Sequence, residues 1–450
     1  MTEIIAAIER HRKLILDAER FIWAHPETGY RETQTSGYMA KAFEALGYKL
    51  TYAEGITGFV TVIDTGREGP EVMVLAELDS VICPEHPEAD ARTGAVHACG
   101  HNAQCAALLG VAAALRDEAV LAKLCGRVRL CVVPAEELLE LEYRTELKKE
   151  GKIRHFVGKT EFLSRGLFDG AQLALMVHTS TGLAVGTGAV GCISKRVAFK
   201  GKAAHAGGSP WSGCNALYAA ACGLNAVNAI RETFKDEDSV RVHPIITRGG
   251  DMVNAIPSVV TVESYVRGKT YEAIADANMK VNRALIGGAL SVGANVEITD
   301  TPGYAPLTNS DGMIDVAKQA ATMAFPECEC YDCGLSSGST DMGDLSMIMP
   351  VVHPYCPGSS GTSHGRDYGI TDPEAACVGS ARWQLAMLFL LLGNNAECAR
   401  RIVADYKPRF SSRDEYLAYV DSLCRDGERI TYRDGGAEVV FDRSNGKKVQ

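Results

Sequence analysis

Two residues that can bind a metal ion lie close together in the stretch of residues 97–102. Cys99 and His101 are separated by one glycine, so the thiol and the imidazole can turn toward one point in space. Thiolate and neutral imidazole are both good ligands for zinc-like ions. A cysteine is also often a small buried hydrophobic residue, and a Cys-x-His triplet alone is more often structural than metal-binding. Whether the triplet binds a metal ion therefore depends on further ligand-type residues elsewhere in the chain.

Further residues of metal-binding type follow apolar runs or lie in a glycine-rich loop. Glu136 and Glu137 come directly after one apolar run, His178 ends another, and His364 lies in the loop 359–365. A Glu-Glu pair is usually part of a surface loop, and a histidine at a strand end is about as often a hydrogen-bonded core residue as a ligand. Joined to the Cys-x-His triplet, however, these residues complete a set of one thiolate, three imidazoles and a carboxylate. That set could hold two ions ~3.5–4 Å apart, as in two-metal hydrolytic sites, with the second glutamate free to move a proton.

The elements that must position these residues are short apolar runs alternating with helical patterns. Strands are predicted at residues 59–64, 71–78, 127–133 and 172–178. Continuous apolar strands between helices indicate an α/β fold, with a central sheet covered by helices on both faces. Active sites in such sheets lie beyond the carboxyl ends of the strands. Three of the runs end at Asp79, at the two glutamates and at His178, so we expect these ends to converge.

The pattern changes between residues 193 and 304. Strand-like and helical runs follow one another there in the order βαββαβ, which is that of the ferredoxin-like split motif. We therefore predict a catalytic domain made of residues 1–192 and 305–450, interrupted by an inserted domain of residues 193–304. A compact insertion of this kind is a candidate for a lid or for dimerisation.

Three segments supply no residue to the candidate site. Opposite charges at helical spacing in residues 140–165 predict an inserted surface element with a solvated helix face. Residues 395–450 are expected to form a helical and hairpin-like tail. Cys328, Cys330 and Cys333 form a local cluster, but neither a histidine nor a fourth thiol stands nearby to complete a second metal site, so we predict no metal or redox role for them.

Composition argues against several classes of partner. The net charge is −10 and no lysine/arginine block is present, which argues against nucleic acid and anionic membranes. The longest apolar run, residues 385–392, is too short to cross a bilayer, and residues 1–12 contain no apolar signal core. The 15 cysteines are odd in number and have no framework spacing, which indicates free thiols in a reducing compartment. A cytoplasmic location is therefore expected.

Taken together, the motifs resemble those of the dimetal aminoacylase/carboxypeptidase family of amidohydrolases, in particular the branch of auxin-amino-acid-conjugate hydrolases and aminobenzoyl-glutamate hydrolase. The matching stretches cover most of residues 21–390 in order and spacing. They are His-Pro-Glu at 25–27, Ala-Glu-Leu-Asp at 76–79, His-Ala-Cys-Gly-His-Asn at 97–102, Pro-Ala-Glu-Glu at 134–137, Gly-Lys-Ala-Ala-His-Ala at 201–206, Asn-Ala-Ile-Pro at 254–257 and Ser-Thr-Asp-Met-Gly-Asp at 339–344.

The resemblance implies a role for each matching residue. Two divalent ions, Zn or Mn, would be held by five ligands: Cys99, His101, Glu137, His178 and His364. Glu136 would be the general base and His205 would help to hold the substrate oxyanion. Asn254 and Arg267 would meet the carboxylate or amide of the substrate, although residues of this kind also cap strands or pair locally. The expected substrate is a small amide: an N-acyl amino acid, a dipeptide or an aryl-glutamate amide. The expected assembly is a homodimer through the inserted domain.

The chain also departs from the family pattern, and two other functions remain open. Asn102 and Gln104 stand where many relatives have aspartate and histidine, and a charged insertion replaces the glycine-rich sequence after the glutamates.

A thiol hydrolase built on Cys99 would leave His364 and the glutamate pair without a role. A catalytically silent binding or assembly protein that retains the fold is the second alternative, and the presence of all five ligand residues argues against it.

Overall fold

The computed structural model describes residues 2–434 and 436–441. The chain forms two compact units. The first comprises Met1–Ala189, Leu307–Ser336 and Thr340–Leu417, and the second comprises Val190–Pro306, Ser337–Ser339 and Ala418–Gln450. The predicted insertion therefore corresponds closely to the second unit. The end of the tail differs from the prediction, because residues from Ala418 onward group with the inserted unit rather than with residues 305–417.

The first unit is built on a six-stranded sheet. In spatial order its strands are Thr51–Tyr52, Phe59–Asp64, Arg127–Val133, Glu71–Glu77, Leu173–Leu175 and Val351–Val352. The two outer pairings at one side are antiparallel, and the remaining three are parallel. Every residue of Glu71–Glu77 is buried, as expected for a strand covered on both faces. The α/β prediction is confirmed, although the predicted run 172–178 is interrupted after Leu175.

The interruption places His178 in a different sheet. His178–Thr179 pairs in parallel with Tyr355–Cys356, in a small sheet that also contains Ala184–Val185 and Tyr331–Asp332. The remaining short strands of the first unit are Val81–Ile82, Ala95–Val96, Gly188–Ala189, Leu307–Thr308, Leu335–Ser336, Ser359–Ser360 and Gly369–Ile370. Most of these short strands belong to connections near the carboxyl ends of the main strands, where the predicted site residues lie.

Helices cover the sheet of the first unit. They are Thr2–Glu9, Arg12–Trp23, Thr33–Ala45, His101–Ala114, Glu118–Leu121, Leu141–Lys149, Gly158–Ser164, Asp311–Ala324, Met342–Ser346, Ser380–Leu392, Glu397–Asp405 and the start of Arg413–Ser422. His101–Ala114 is buried along its whole length, because alanine, glycine and cysteine let neighbouring elements approach it closely. The stretch Glu374–Leu392 is long and apolar enough to span a membrane, but 78% of it is buried inside the structure, as in a core helix.

The second unit has the predicted βαββαβ order. Its elements are Gly191–Lys200, Ala216–Ala229, Arg241–Val242 with Ile245–Arg248, Val259–Gly268, Tyr271–Ser291 and Asn295–Tyr304. All strand pairings are antiparallel, and the first strand lies between the third and the last. Valine, isoleucine and phenylalanine side chains from the sheet pack with the two helices in one core. The prediction of a ferredoxin-like arrangement therefore agrees with the topology of this unit.

The tail joins the second unit because it covers one edge of that sheet. The backbones of Arg425 and Asp300 exchange two hydrogen bonds of 2.8 and 3.0 Å, and Ile298 N donates to Gly427 O at 3.1 Å. Ile430, the first residue of the hairpin Ile430–Arg433 and Gly436–Val439, is buried in the core of the unit. The backbone groups at a free sheet edge need partners, and the tail supplies them.

The charged stretch after residue 140 is only partly a solvated face. Glu142, Glu146 and Lys148 are exposed on the helix Leu141–Lys149, as predicted, but Arg144 is 1% exposed and Lys159 is fully buried. The prediction of a surface element is therefore wrong for these two residues. Arg144 donates hydrogen bonds to the carbonyl oxygens of Phe156 and Glu137, which hold its guanidinium inside the protein.

Candidate metal centre

A one-residue turn directs Cys99 and His101 to the same place. Gly100 has a φ of +90°, and a Cβ built on it would lie 2.5 Å from the Tyr368 hydroxyl oxygen. Glycine suits this position because it adopts a positive φ readily and has no Cβ that would clash with Tyr368. Cys99 ends the incoming loop, and His101 is the first residue of the buried helix His101–Ala114. The sequence Cys-Gly-His therefore places two ligand-type side chains side by side.

Backbone carbonyls fix the orientation of two imidazoles. His101 Nδ1 lies 2.9 Å from Asp79 O, and His178 Nδ1 lies 2.7 Å from Thr179 O. A carbonyl can only accept, so each Nδ1 carries a proton and each Nε2 is the ring nitrogen that can face a metal ion. The Nε2 atom of His178 lies 3.4 Å from Cys99 Sγ.

The two glutamates lie in a strained turn that is held from several sides. Ala135 has a φ of +54°, which is uncommon for a residue with a side chain. Its N–H donates to Glu32 Oε1 at 2.8 Å, and the N–H of Glu137 donates to Asp79 Oδ2 at 2.8 Å. These bonds fix the turn, so that the Glu137 carboxylate faces His364, with 3.1 Å between His364 Nε2 and Glu137 Oε1.

The structure brings all five predicted ligands together in two overlapping groups. One group contains Cys99, His101 and His178, and the other contains Cys99, Glu137 and His364. Within each group the donor atoms lie within 4.8 Å of one another. Cys99 belongs to both groups, so its sulfur is placed to face two neighbouring positions for ions.

The chemistry of the donors fits divalent ions. His101 Nε2 and Glu137 Oε1 are buried, and each lies near a group of opposite charge type: Glu77 Oε2 is 3.2 Å from His101 Nε2, and His364 Nε2 is 3.1 Å from Glu137 Oε1. Burial raises the pKa of the Cys99 thiol, but His101 and His178 lower it to about 6, which favours the thiolate. Burial also opposes ionisation of Glu137, yet the ion pair with His364 lowers the pKa of this carboxyl to about 2. A thiol, a carboxylate and three imidazoles whose donor atoms converge form a donor set that suits divalent ions, with the half-exposed His364 at its outer side.

Comparison with known proteins identifies the family. The family model "Peptidase family M20/M25/M40" matches residues 73–388, which is more than half of the chain. This chain belongs to peptidase family M20/M25/M40. The prediction of a hydrolase of the dimetal aminoacylase/carboxypeptidase type is thereby confirmed.

Individual relatives agree with this assignment. The M20 chain is 29% identical to a mouse (Mus musculus) Xaa-Arg dipeptidase over 86% of this chain and 85% of the relative. It is 29% identical to indole-3-acetyl-aspartic acid hydrolase of Enterobacter agglomerans (64% and 65% covered). It is 28% identical to a p-aminobenzoyl-glutamate hydrolase polypeptide of Escherichia coli (54% and 55% covered). The last two correspond to the branch that the motifs indicated.

A solved structure shares the fold. A dinuclear metal-binding peptidase of the M20 family from Bacillus subtilis superposes with a TM-score of 0.62 and 21% identity, covering 86% of this chain and 99% of the other. The two chains therefore share their fold over most of their length.

Glu136 of the M20 chain lies beside the donor groups. It forms a third close group with Glu77 and His101, all of them buried. Burial, together with repulsion from Glu77 and Glu137, raises the pKa of Glu136 well above its usual range. A carboxyl group in this environment holds a proton more readily than a solvated one, as a proton-transfer group requires.

Several residues of the centre were not predicted from the sequence. Glu77 and Lys159 belong to a buried ion-pair network next to His101, and His97 and His353 are buried imidazoles beside the donor groups. Burial lowers the pKa of both of these imidazoles to about 3, so they are neutral. Glu77 could have been predicted to lie at the centre from its position in the Ala-Glu-Leu-Asp motif, whereas nothing in the sequence around Lys159 indicates that it lies there.

The second unit contains the other three predicted site residues. His205 is exposed, and its Nδ1 accepts hydrogen bonds from the N–H groups of Gly207 and Gly208 at 3.2 and 2.9 Å. The N–H of Ala206 donates to Asn254 O at 2.9 Å, so His205 and Asn254 lie on neighbouring loops.

Arg267 lies on the strand Val259–Gly268 of the same unit. Its Nε donates to His243 Nε2 at 3.1 Å and its Nη1 to Ser339 Oγ at 2.7 Å. Arg267 therefore pairs with neighbouring residues of its own unit, which was the alternative to a contact with the substrate.

Proposed function

We propose that this M20 chain hydrolyses the amide bond of a small substrate: an N-acyl amino acid, a dipeptide or an aryl-glutamate amide. The observation that carries the proposal is the pair of donor groups that share Cys99, with the buried Glu136 beside them. The relatives support the substrate class, because they include a Xaa-Arg dipeptidase, an indole-3-acetyl-aspartic acid hydrolase and a p-aminobenzoyl-glutamate hydrolase.

In this proposal Cys99, His101 and His178 hold one ion, and Cys99, Glu137 and His364 hold the second. Two divalent ions, when bound, polarise the amide carbonyl and lower the pKa of water from 15.7 toward ~7. The identity of the ions is proposed as zinc, because a thiolate ligand favours it over the manganese that imidazole and carboxylate would also accept.

Residues of the chain transfer the proton, orient the ligands and contact the substrate. Glu136 takes the proton of the attacking water and returns it to the amide nitrogen, so that the amine leaves as a neutral group. The carbonyl of Asp79 keeps the His101 ring in one tautomer throughout, and the carbonyl of Thr179 does the same for His178. For His205 we propose a hydrogen bond to the developing oxyanion, and for Asn254 and Arg267 contacts with the substrate carboxylate or amide.

We also propose that the chain forms a homodimer through the second unit. The strand Ile245–Arg248 is paired on one side only among the described residues, and Ile245 is 63% exposed. Trp211 and Tyr218, 80% and 65% exposed, add apolar surface to this unit. Light scattering should give twice the mass of the chain, and Ile245→Lys should reduce it to the monomer value. A monomeric wild-type protein would contradict this proposal.

The function is tested by metal analysis joined to a substrate screen. The purified protein is stripped with a chelator, reloaded separately with Zn²⁺ or Mn²⁺, and offered N-acyl amino acids, dipeptides and aryl-glutamate amides with amine release as the readout. We expect two ions per chain, no release after stripping and recovery on reloading. Hydrolysis that survives complete stripping would support a thiol hydrolase instead. A protein that binds no divalent ion would support the silent binding protein.

A further inference from the structure

Lys159 links two carboxylates in the interior of the first unit. Its Nζ forms ion pairs with Glu77 Oε1 and Asp341 Oδ1, and its backbone N–H donates to Asp341 Oδ2 at 2.8 Å. All three side chains are 0% exposed. Lys159 is the second residue of the helix Gly158–Ser164, Glu77 ends the central strand, and Asp341 comes directly before Met342–Ser346. One ammonium group therefore joins three elements around the base of the candidate metal centre.

The other oxygen of Glu77 points to the centre. Glu77 Oε2 lies 3.2 Å from His101 Nε2 and accepts a hydrogen bond from Gln104 Nε2 at 3.0 Å. The two oxygens of Glu77 are thus divided between Lys159 on one side and His101 with Gln104 on the other.

The balance of charge explains why a cation is needed at this position. Glu77 and Asp341 are fully buried carboxylates, and a buried charge without a partner is costly. Without Lys159 the two carboxylates would repel each other, and Glu77 would have to turn away from His101 or take up a proton. Either change would alter the surroundings of the Nε2 atom that faces the donor groups.

We propose that Lys159 is a positioning residue for the metal centre, which holds the carboxylate of Glu77 in a fixed orientation beside His101. This inference rests on the proposed function only in that His101 binds an ion. Lys159 acts through Glu77, which faces the Nε2 atom of His101, and outer partners of a metal site typically change metal affinity or activity ~10–100-fold when they are lost.

The test compares Lys159→Met with Thr160→Val. Methionine has a similar length without the charge. Thr160 is the next residue of the same helix, and its Oγ1 donates to Asp344 Oδ1 at 2.7 Å. Thr160→Val therefore removes a buried link between the same two helices without touching Glu77. Zn²⁺ affinity is measured by competition with a chelator, and the visible spectrum of the Co²⁺-loaded protein reports the ligand geometry.

We expect Lys159→Met to bind Zn²⁺ ~10–100-fold more weakly and to change the Co²⁺ spectrum, whereas Thr160→Val lowers the melting temperature and leaves both unchanged. Equal Zn²⁺ affinity and equal spectra in the two variants would overturn the inference. If Lys159→Met does not fold, the double variant Lys159→Met/Asp341→Asn replaces it, because it keeps the net charge of the three-residue network at −1. Wild-type affinity and spectrum in the double variant would also overturn the inference.

The two proposals fail in different ways. A wild-type protein without bound metal or amide hydrolysis contradicts the proposed function. A wild-type protein with both, whose Lys159 variants retain full Zn²⁺ affinity, contradicts only the role of Lys159.

Discussion

Each unit of the protein buries a cluster of charged side chains, and the two clusters differ in how their charges are paired. In the second unit, Lys195 forms an ion pair with Asp300 Oδ1, and Asp300 Oδ2 accepts hydrogen bonds from Asn278 and Asn282 at 2.8 and 2.9 Å. In the first unit, groups of metal-ligand type face one another instead: Glu137 Oε1 lies 3.1 Å from His364 Nε2, and His101 Nε2 lies 3.2 Å from Glu77 Oε2.

The difference separates a structural cluster from one that is arranged for a ligand. Lys195 and Asp300 compensate each other's charge, so that cluster can serve the fold alone, whereas a thiol, imidazoles and carboxylates that converge are groups that bind metal ions. The Asp300 cluster has both carboxylate oxygens occupied by protein groups. The Cys99 cluster has donors directed at common points, which metal ions would occupy. The predictions below test this contrast.

The largest effect is expected from Cys99→Ala. Because Cys99 belongs to both donor groups, its loss should remove both ions and reduce turnover by more than the ~100-fold typical of an outer partner. Metal content per chain and kcat are the measurements. Cys131→Ala removes another fully buried thiol, from the strand Arg127–Val133, and should leave metal content unchanged. Full metal occupancy in Cys99→Ala would show that the shared sulfur is not a ligand.

Lys195→Met should affect stability but not metal binding. The substitution leaves Asp300 as an uncompensated buried charge, which is expected to cost about 3–5 kcal/mol in the free energy of unfolding. Urea denaturation measures this cost, and metal content should equal that of the wild type. The double variant Lys195→Met/Asp300→Asn should recover most of the loss, because it removes both charges. A loss of metal in Lys195→Met would remove the distinction between the two clusters.

The smallest effect is the pH dependence of the Asp300 contribution. Burial opposes ionisation of Asp300, but Lys195 and the asparagines hold its pKa below the usual range in the folded protein. The ionised carboxylate therefore stabilises the fold fully above the unfolded-state pKa of about 3.9, and this contribution is lost as the pH falls through the lower folded-state pKa. The unfolding free energies of wild type and Asp300→Asn should differ by a constant amount between pH 5 and 7.

Below about pH 4 that difference should shrink. Glu438→Gln, which removes an exposed ion pair with Arg433, serves as the control and should leave the profile of the wild type unchanged. A difference between wild type and Asp300→Asn that grows on acidification would mean that the sign of the pKa shift is wrong.

The positions of the main strands and of the candidate ligands could be predicted because both depend on local sequence. Apolar runs identified the strands Phe59–Asp64 and Arg127–Val133 at their observed ends. The rule that parallel strands present their carboxyl ends at one edge then predicted that Asp79, the two glutamates and His178 would converge. His178 lies there although its run breaks after Leu175, because a second small sheet carries it.

The features that could not be predicted depend on contacts between distant parts of the chain. Lys159 stands in a stretch of alternating charges that is typical of a solvated helix, and only the positions of Glu77 and Asp341 make it a buried residue. The tail has an ordinary helix and hairpin pattern, and nothing in that pattern indicates that residues near Arg425 pair with the strand Asn295–Tyr304. Local patterns determine elements, whereas the partner of a charged or edge-pairing residue depends on the tertiary fold.

The central claim is that adjacent glutamates divide metal binding and proton transfer between them, and it is tested most directly by measuring metal content and kcat in Glu136→Gln and Glu137→Gln side by side. Both residues are buried in the same turn, so each variant serves as the control for the other. The account predicts that Glu136→Gln keeps the wild-type metal content and loses turnover, while Glu137→Gln loses metal. Loss of metal in Glu136→Gln with full occupancy in Glu137→Gln would contradict it.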